Sequence, residues 1–317
     1  MPPIRDRRQF LHHGALGLAG LYLSGTFLSS CSPKTTYKSL ADIPADAPYL
    51  MKHLRGRVGY FTEKGGTIAW MIDGKNAAVV DTQFPEQIDH WMVEAKIMTD
   101  DQFDAVFNTH HHADHTSGNI RFKNKTRKII AHTNSQLNQQ KAAEQKSNLP
   151  DVLLPDTTFS DQYRIKIGSE NISCHYFGPA HTNGDAIVHF EDSNVAHIGD
   201  LVFNRRFPYI DKGAGASIRS WISVHDALLH YFDKDTIIIC GHAGQGYDVI
   251  LKKEDIKAFQ NYLSQLLAFA EKNISNGVTL DALKKNTYFI PGAEQWLGDG
   301  IVRSLEAAYI ELNGPKG

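Results

Sequence analysis

Directly after the apolar run Phe103-Asp-Ala-Val-Phe107, the chain carries His110-His111-His112-Ala113-Asp114-His115. No other stretch constrains the fold as strongly, because the backbone around it must bring several metal-ligand side chains to one point. A catalytic zinc site needs neutral imidazoles or carboxylates at about 2.0 to 2.2 Å from the ion and one position left for water. His110 and His112 are two apart on an extended segment and can point the same way. Asp114 and His115 follow where the chain must turn, so they can face a second ion, as two-metal hydrolases require. His111 is expected to point away.

Three further ligand candidates each end an apolar, strand-like run beside a glycine. His181 lies in Gly178-Pro-Ala-His-Thr-Asn-Gly-Asp185, Asp200 ends Val195-Ala-His-Ile-Gly-Asp200, and His242 ends Ile237-Ile-Ile-Cys-Gly-His242. The glycines allow sharp turns and close backbone approach.

In order, His110, His112, Asp114, His115, His181, Asp200 and His242 match an H-x-H-x-D-H motif followed by spaced His, Asp and His, and so the chain resembles the metallo-β-lactamase superfamily. The likeness runs over roughly residues 57 to 245, including the Val79-Val-Asp81 strand end before a helix. It implies an α/β fold, a four-layer αββα sandwich with C-terminal helices. It also implies that His110, His112 and His181 hold a first metal, that Asp114, His115 and His242 hold a second, and that Asp200 bridges them. That set resembles glyoxalase II-like and lactonase-like members rather than β-lactamases with a cysteine at the second site, though other β-lactamases use histidines throughout. Two zinc ions are expected, with Fe or Mn accepted by the same ligand types. Such ions bring a shared water to a pKa near neutrality, so hydroxide is available for attack on a carbonyl carbon. Asp114 is the expected catalytic residue, orienting the water and carrying its proton.

Near the start, Arg7-Arg8-Gln9-Phe10-Leu11 precedes an uncharged, largely apolar stretch from Gly14 to Ser30 and then Cys31. Twin arginines followed by Phe and Leu resemble a Tat signal, and Leu28-Ser-Ser-Cys31 resembles a lipobox, so residues 1–31 are expected to direct export, with lipidation at Cys31. A retained membrane anchor is the alternative. Either places the protein outside the cytoplasm, in the periplasm or held at the membrane. Residues 32–50, with Ser, Lys, Thr and three prolines, read as a linker.

Lys plus Arg is 33 and Asp plus Glu is 35, so a net charge of −2 gives no reason to expect nucleic acid as a partner. A small molecule is the expected partner, and the sequence assigns no oligomeric state. With Cys31 set aside, Cys174 and Cys240 sit in apolar runs and read as buried free thiols.

Periodicity predicts strands near 57–62, 67–73 and 76–81, a helix near 85–98, a strand at 103–109 and a strand–helix pair at 128–147. Strands near 163–167, 171–177, 186–190 and 195–199 follow, then a helix at 218–232 and a strand at 236–240. The catalytic domain is placed at 51–250. Apolar positions at Ile256, Phe259, Tyr262, Leu263, Leu266 and Leu267 follow helix spacing, and 301–312 is a second such run. Residues 251–317 are therefore expected to be a helical extension packed on the core.

Substrate contacts are expected from the loop after Asp200, where Arg205, Arg206 and Tyr209 stand among aromatics, arginine being suited to a substrate carboxylate. Lys212-Gly-Ala-Gly-Ala-Ser217 reads as a mobile loop beside them. Trp70, Trp91 and Trp221 read as core. His132, His175, His189, His197 and His225 read as core or as supports that orient a ligating imidazole. The favoured function is a dinuclear zinc hydrolase of a small ester, lactone, thioester or amide, β-lactams included. Two alternatives stay open: an iron-dependent oxidative member handling persulfides or oxygen, and a non-catalytic metal-binding accessory of an exported redox system.

Overall fold

Along Ile68–Asp73, side chains alternate between two cores: Ala69 and Met71 face one, Ile68 and Trp70 the other. That period of two is what a strand covered on both faces requires. The computed structural model describes residues 49–97, 102–297 and 300–314. The Tat-like signal, Cys31 and all of the linker up to residue 48 lie outside the described residues.

Seven strands form the first sheet in chain order: β1 (Leu50–Arg55), β2 (Val58–Thr62), β3 (Ile68–Asp73), β4 (Asn76–Val80), β5 (Ala105–Asn108), β6 (Ile129–His132) and β7 (Thr157–Phe159). Pairing is antiparallel through β4 and parallel from β4 to β7. Helices α1 (Pro85–Glu94), α2 (Ala113–Thr116) and α3 (Thr133–Gln145) occupy the crossovers. The second sheet holds β8 (Gln162–Ile167), β9 (Glu170–His175), β10 (Ile187–Phe190) and β11 (Val195–His197). Past the short β12 (Phe203–Asn204) come its β13 (Ile237–Ile239) and, past β14 (His242–Ala243), its β15 (Ile250–Leu251). Helices α4 (Ile218–Tyr231), α5 (Lys253–Ser275), α6 (Leu280–Asn286) and α7 (Ile301–Asn313) complete the chain.

Three buried clusters separate four layers. Tyr60, Met71 and Val80 meet Ile172, Val188 and Ile239 between the sheets. Trp91 and Ile88 of α1 cover the outer face of the first sheet. Trp221 of α4 with Phe259, Tyr262 and Leu263 of α5 covers the second. The result is the expected αββα sandwich with C-terminal helices.

Some boundaries differ from expectation. Leu50 opens β1, since Leu50–His53 pair with Gly59–Thr62 in a hairpin; its mixed side chains lie on a sheet edge and carry little periodic signal. Helix α1 stops at Glu94 because Lys96 turns to φ 55°, a left-handed conformation that ends a helix. The Lys212–Ser217 segment, expected to be mobile, is tied down: Lys212 Nζ reaches Ala216 O at 2.7 Å and Glu311 at 3.1 Å, and Asp211 caps Ala214 N at 3.0 Å. Trp91 and Trp221 are fully buried and Trp70 nearly so. Cys174 and Cys240 are buried free thiols.

Candidate metal centre

The candidate ligands stand in the segments that follow the C-terminal ends of strands, His181 in the loop between β9 and β10, where α/β folds place their sites. His110 follows β5, His112 and the short α2 carry the next three donors, Asp200 follows β11, and His242 follows β13 by way of Gly241. Gly199 takes φ 51° and packs on Thr109, so the chain turns Asp200 inward where a Cβ would collide. A Cβ on Gly241 would overlap Asp200 itself. The parallel pair β12–β14 sets Phe203 opposite His242, their rings stacked at 5.5 Å.

Two triads of donors result. His112 Nδ1 lies 3.1 Å from His110 Nε2 and 2.9 Å from His181 Nε2. Across the centre, His242 Nε2 lies 3.0 Å from Asp114 Oδ2 and 3.4 Å from His115 Nε2. Asp200 stands between them, with Oδ2 3.5 Å from His181 and 3.4 Å from His242, and Oδ1 3.2 Å from His115 Nε2. All seven candidates therefore meet at one place. His111 sits outside both triads, its ring 4.4 Å from that of His112 and its Nε2 3.6 Å from Asp211.

The other ring nitrogens are held from behind. His115 Nδ1 lies 2.7 Å from Asp81 Oδ2, and Asp81 also accepts from Thr109 N and Oγ1 at 2.8 and 2.7 Å. His110 Nδ1 lies 3.1 Å from Thr109 Oγ1. His181 Nδ1 lies 2.6 Å from the Tyr209 carbonyl, and His112 Nε2 lies 2.9 Å from Asp211 Oδ2. Orientation of the candidate ligand imidazoles thus falls to Asp81, Thr109, Asp211 and a backbone oxygen rather than to His132, His175, His189, His197 or His225. His197 acts one step away: its Nδ1 accepts from Gly199 N at 3.0 Å and its Nε2 lies 2.8 Å from Thr67 O, which fixes the turn to Asp200. Asp81 ended a segment singled out in the sequence, yet no spacing rule joins Asp81 or Asp211 to imidazoles 34 and 99 positions away.

Electrostatics divides the histidines. Burial, with neighbouring imidazoles, holds His110 well below the ordinary imidazole range and His181 down to about 3, so both offer lone pairs. Burial opposes charge on His115 too, but the Asp200, Asp114 and Asp81 carboxylates outweigh it and push its pKa well up. His242 is raised in the same way by Asp200 and Asp114. Asp200 Oδ1 is buried and, although His115 Nε2 stands 3.2 Å away, no well-aligned hydrogen bond satisfies it. A buried carboxylate oxygen without a well-formed hydrogen bond, facing a ring of imidazole nitrogens, is unfavourable alone and satisfied by cations, so this donor set fits metal ions.

Residues 63–242 match the sequence profile of the Metallo-beta-lactamase superfamily. The chain belongs to the metallo-β-lactamase superfamily. The superfamily match ends on His242, the last of the seven converging ligand candidates. Among curated proteins, a hydroxyacylglutathione hydrolase of Methylococcus capsulatus is 26% identical over 137 residues, covering 43% of this chain and 47% of the relative. The chain thus spans about half the length of that relative. Among solved structures, a stereoselective inverting sec-alkylsulfatase from Pseudomonas sp. superposes with a TM-score of 0.64 at 13% identity, over 84% of this chain and 50% of that one. A metallo-beta-lactamase from Pontibacter korlensis gives 0.56 at 16%, over 68% of this chain and 99% of its own. At these identities the two structures share the superfamily fold.

A cavity of about 620 Å³ opens onto the centre. Asp114, His242, Arg206 and Tyr209 line it, as does Arg303 of α7, which the sequence reading did not single out. Arg205, expected beside the substrate, faces elsewhere. Its guanidinium is 2.6 Å from Asp255 of α5, 2.8 Å from Asn204 Oδ1 and 3.2 Å from Gln295, and it lies over the Tyr247 and Trp296 rings. A φ of 57° at Arg205 sends neighbouring side chains in different directions, which strand-like alternation does not anticipate.

Proposed function

We propose that this chain is a dinuclear zinc-dependent hydrolase acting on a small ester, lactone, thioester or amide, β-lactams included. One observation carries this reading: two donor triads share the buried Asp200 carboxylate at the floor of an open cavity. In this assignment His110, His112 and His181 hold one ion, Asp114, His115 and His242 the other, and Asp200 both. Bound zinc would supply a water of near-neutral pKa and a Lewis acid for the carbonyl oxygen. Asp114 is the one carboxylate of the centre with substantial exposure, 31% for its side chain, and it opens to the cavity, so it can pass a proton between water and leaving group. Phe203 and Phe207 line the cavity as apolar side chains and limit the water around the reacting atoms. The name of the hydroxyacylglutathione hydrolase relative supports hydrolysis as the reaction class.

The experiment is metal analysis of the purified protein with turnover assays on esters, lactones, thioesters and β-lactams. About two zinc per chain with turnover, both lost in His112→Ala, is the expected result. Stoichiometric iron with oxygen consumption and no hydrolysis would replace this reading with the oxidative one, and metal without any turnover would leave the accessory role. We also propose export with lipid attachment at Cys31, supported by the Arg7-Arg8 and Leu28–Cys31 motifs. Labelling with radioactive palmitate tests it: the wild-type protein should take up label and Cys31→Ala should not, and a wild-type protein without label would refute the lipid.

A further inference from the structure

Two guanidiniums on the cavity wall have no acidic partner among the described residues. Arg206 follows β12, and Arg303 lies in the first turn of α7. Their neighbours behave differently: Arg205 is bound to Asp255, Lys212 to Glu311 and Lys284 to Glu306. Carboxylates near the same wall are engaged by imidazoles, Asp114 by His242 and Asp211 by His112. A cation in the first turn of a helix also works against the helix dipole, so Arg303 is not placed there to stabilise α7.

Tyr209 links Arg303 to the candidate metal centre. The Arg303 guanidinium lies over its ring at 5.6 Å, and that ring also neighbours His112 at 5.3 Å and His181 at 6.3 Å. Arg303 thus stands one aromatic ring away from two ligand candidates. Arg206 borders the same cavity and also a second one of about 550 Å³ that His242 lines as well. Planar guanidiniums facing a cavity suit the two oxygens of a carboxylate or the oxygens of a sulfonate.

We propose that Arg206 and Arg303 bind an oxyanion on the substrate, a carboxylate or sulfonate, while the scissile carbonyl sits at the metal centre. This rests on the hydrolase reading and narrows it to anionic substrates of small size. The arginine selected this way from α7 makes the C-terminal helix part of the substrate site.

The test compares three nitrophenyl esters on the zinc-loaded full-length protein: the glutarate half-ester, the neutral valerate ester and the sulfobutyrate ester. The glutarate or sulfobutyrate ester should be preferred, and which of the two wins identifies the oxyanion. Arg206→Gln and Arg303→Gln should each lower kcat/KM for the anionic ester about tenfold to a hundredfold while leaving the valerate ester within about twofold. Arg303→Lys should recover part of the loss. Equal loss on all three esters, or no loss, overturns the proposal and leaves the hydrolase reading intact. Should no ester turn over, the hydrolase reading is decided by the lactone, thioester and β-lactam assays, and calorimetric binding of glutarate decides the anion site. Weaker binding in the two Gln variants supports it, and unchanged binding overturns it.

Discussion

His112 Nε2 lies 2.9 Å from Asp211 Oδ2 while its Nδ1 faces His110 and His181, so one ring joins the donor triad to a carboxylate behind it. Burial raises the Asp211 pKa, but the hydrogen bond and charge of His112 prevail and bring it to about 2, so the carboxylate is ionised at neutral pH. Replacing a partner of this kind loosens the ligand it orients. Asp211→Ala should weaken metal affinity about tenfold to a hundredfold, read by competition with a chromophoric chelator. An affinity equal to wild type would mean that Asp211 does not position His112.

Asp81 is fully buried at φ 59° and accepts from Thr109 N, Thr109 Oγ1 and His115 Nδ1. Truncation would strand all three groups in the interior. Asp81→Ala should cost about 3–5 kcal/mol of folding stability, as the loss of one partner in a buried pair does. Denaturant titration of the metal-free protein reads this without interference from bound ions; a midpoint within error of wild type would refute it.

Gly66 packs against the ring of His115, and a Cβ there would overlap the imidazole. Gly66→Ala should push His115 away from Asp114 and His242, lowering metal stoichiometry from about two toward one, with turnover falling at least about tenfold. Elemental analysis of the purified variant checks this, and full stoichiometry would sink it.

Raised folded-state pKa values at His115 and His242 mean that their protonated forms stabilise the metal-free fold. That contribution is complete below the unfolded pKa of about 6.5 and is lost as pH rises through the folded values. Melting temperature of the metal-free protein should therefore fall above about pH 6.5. Metal binding requires these imidazoles neutral, so uptake should release protons and tighten as pH rises. Calorimetry in buffers of different ionisation enthalpy measures the release, and buffer-independent heats would contradict it.

Asp114→Asn should retain metal through His115 and His242 while turnover drops about a hundredfold or more, since an amide cannot carry the proton. Parallel metal analysis and rate measurement decide this. Unchanged turnover would remove the proton-carrying role.

The seven ligand candidates were legible because their chemistry is local: histidines and aspartates at strand ends beside glycines announce themselves within a few residues. The layered fold followed from resemblance, and its apolar alternation at Ile68–Asp73 and its helical spacing from Ile256 to Leu267 appear in the structure as buried faces. Harder to read were β1, whose edge position weakens its pattern, and Arg205, whose left-handed backbone turns it to Asp255.

By itself the sequence determined which residue types could hold metal and in which order they occur, because ligand spacing and strand periodicity are properties of neighbouring residues. Only the tertiary structure decided that Asp81 and Asp211 support His115 and His112, that Arg303 reaches the cavity from the last helix, and that Arg205 does not line it. Those relations join positions dozens to nearly a hundred residues apart, and they arise from the packing of sheets and helices, which no local pattern encodes.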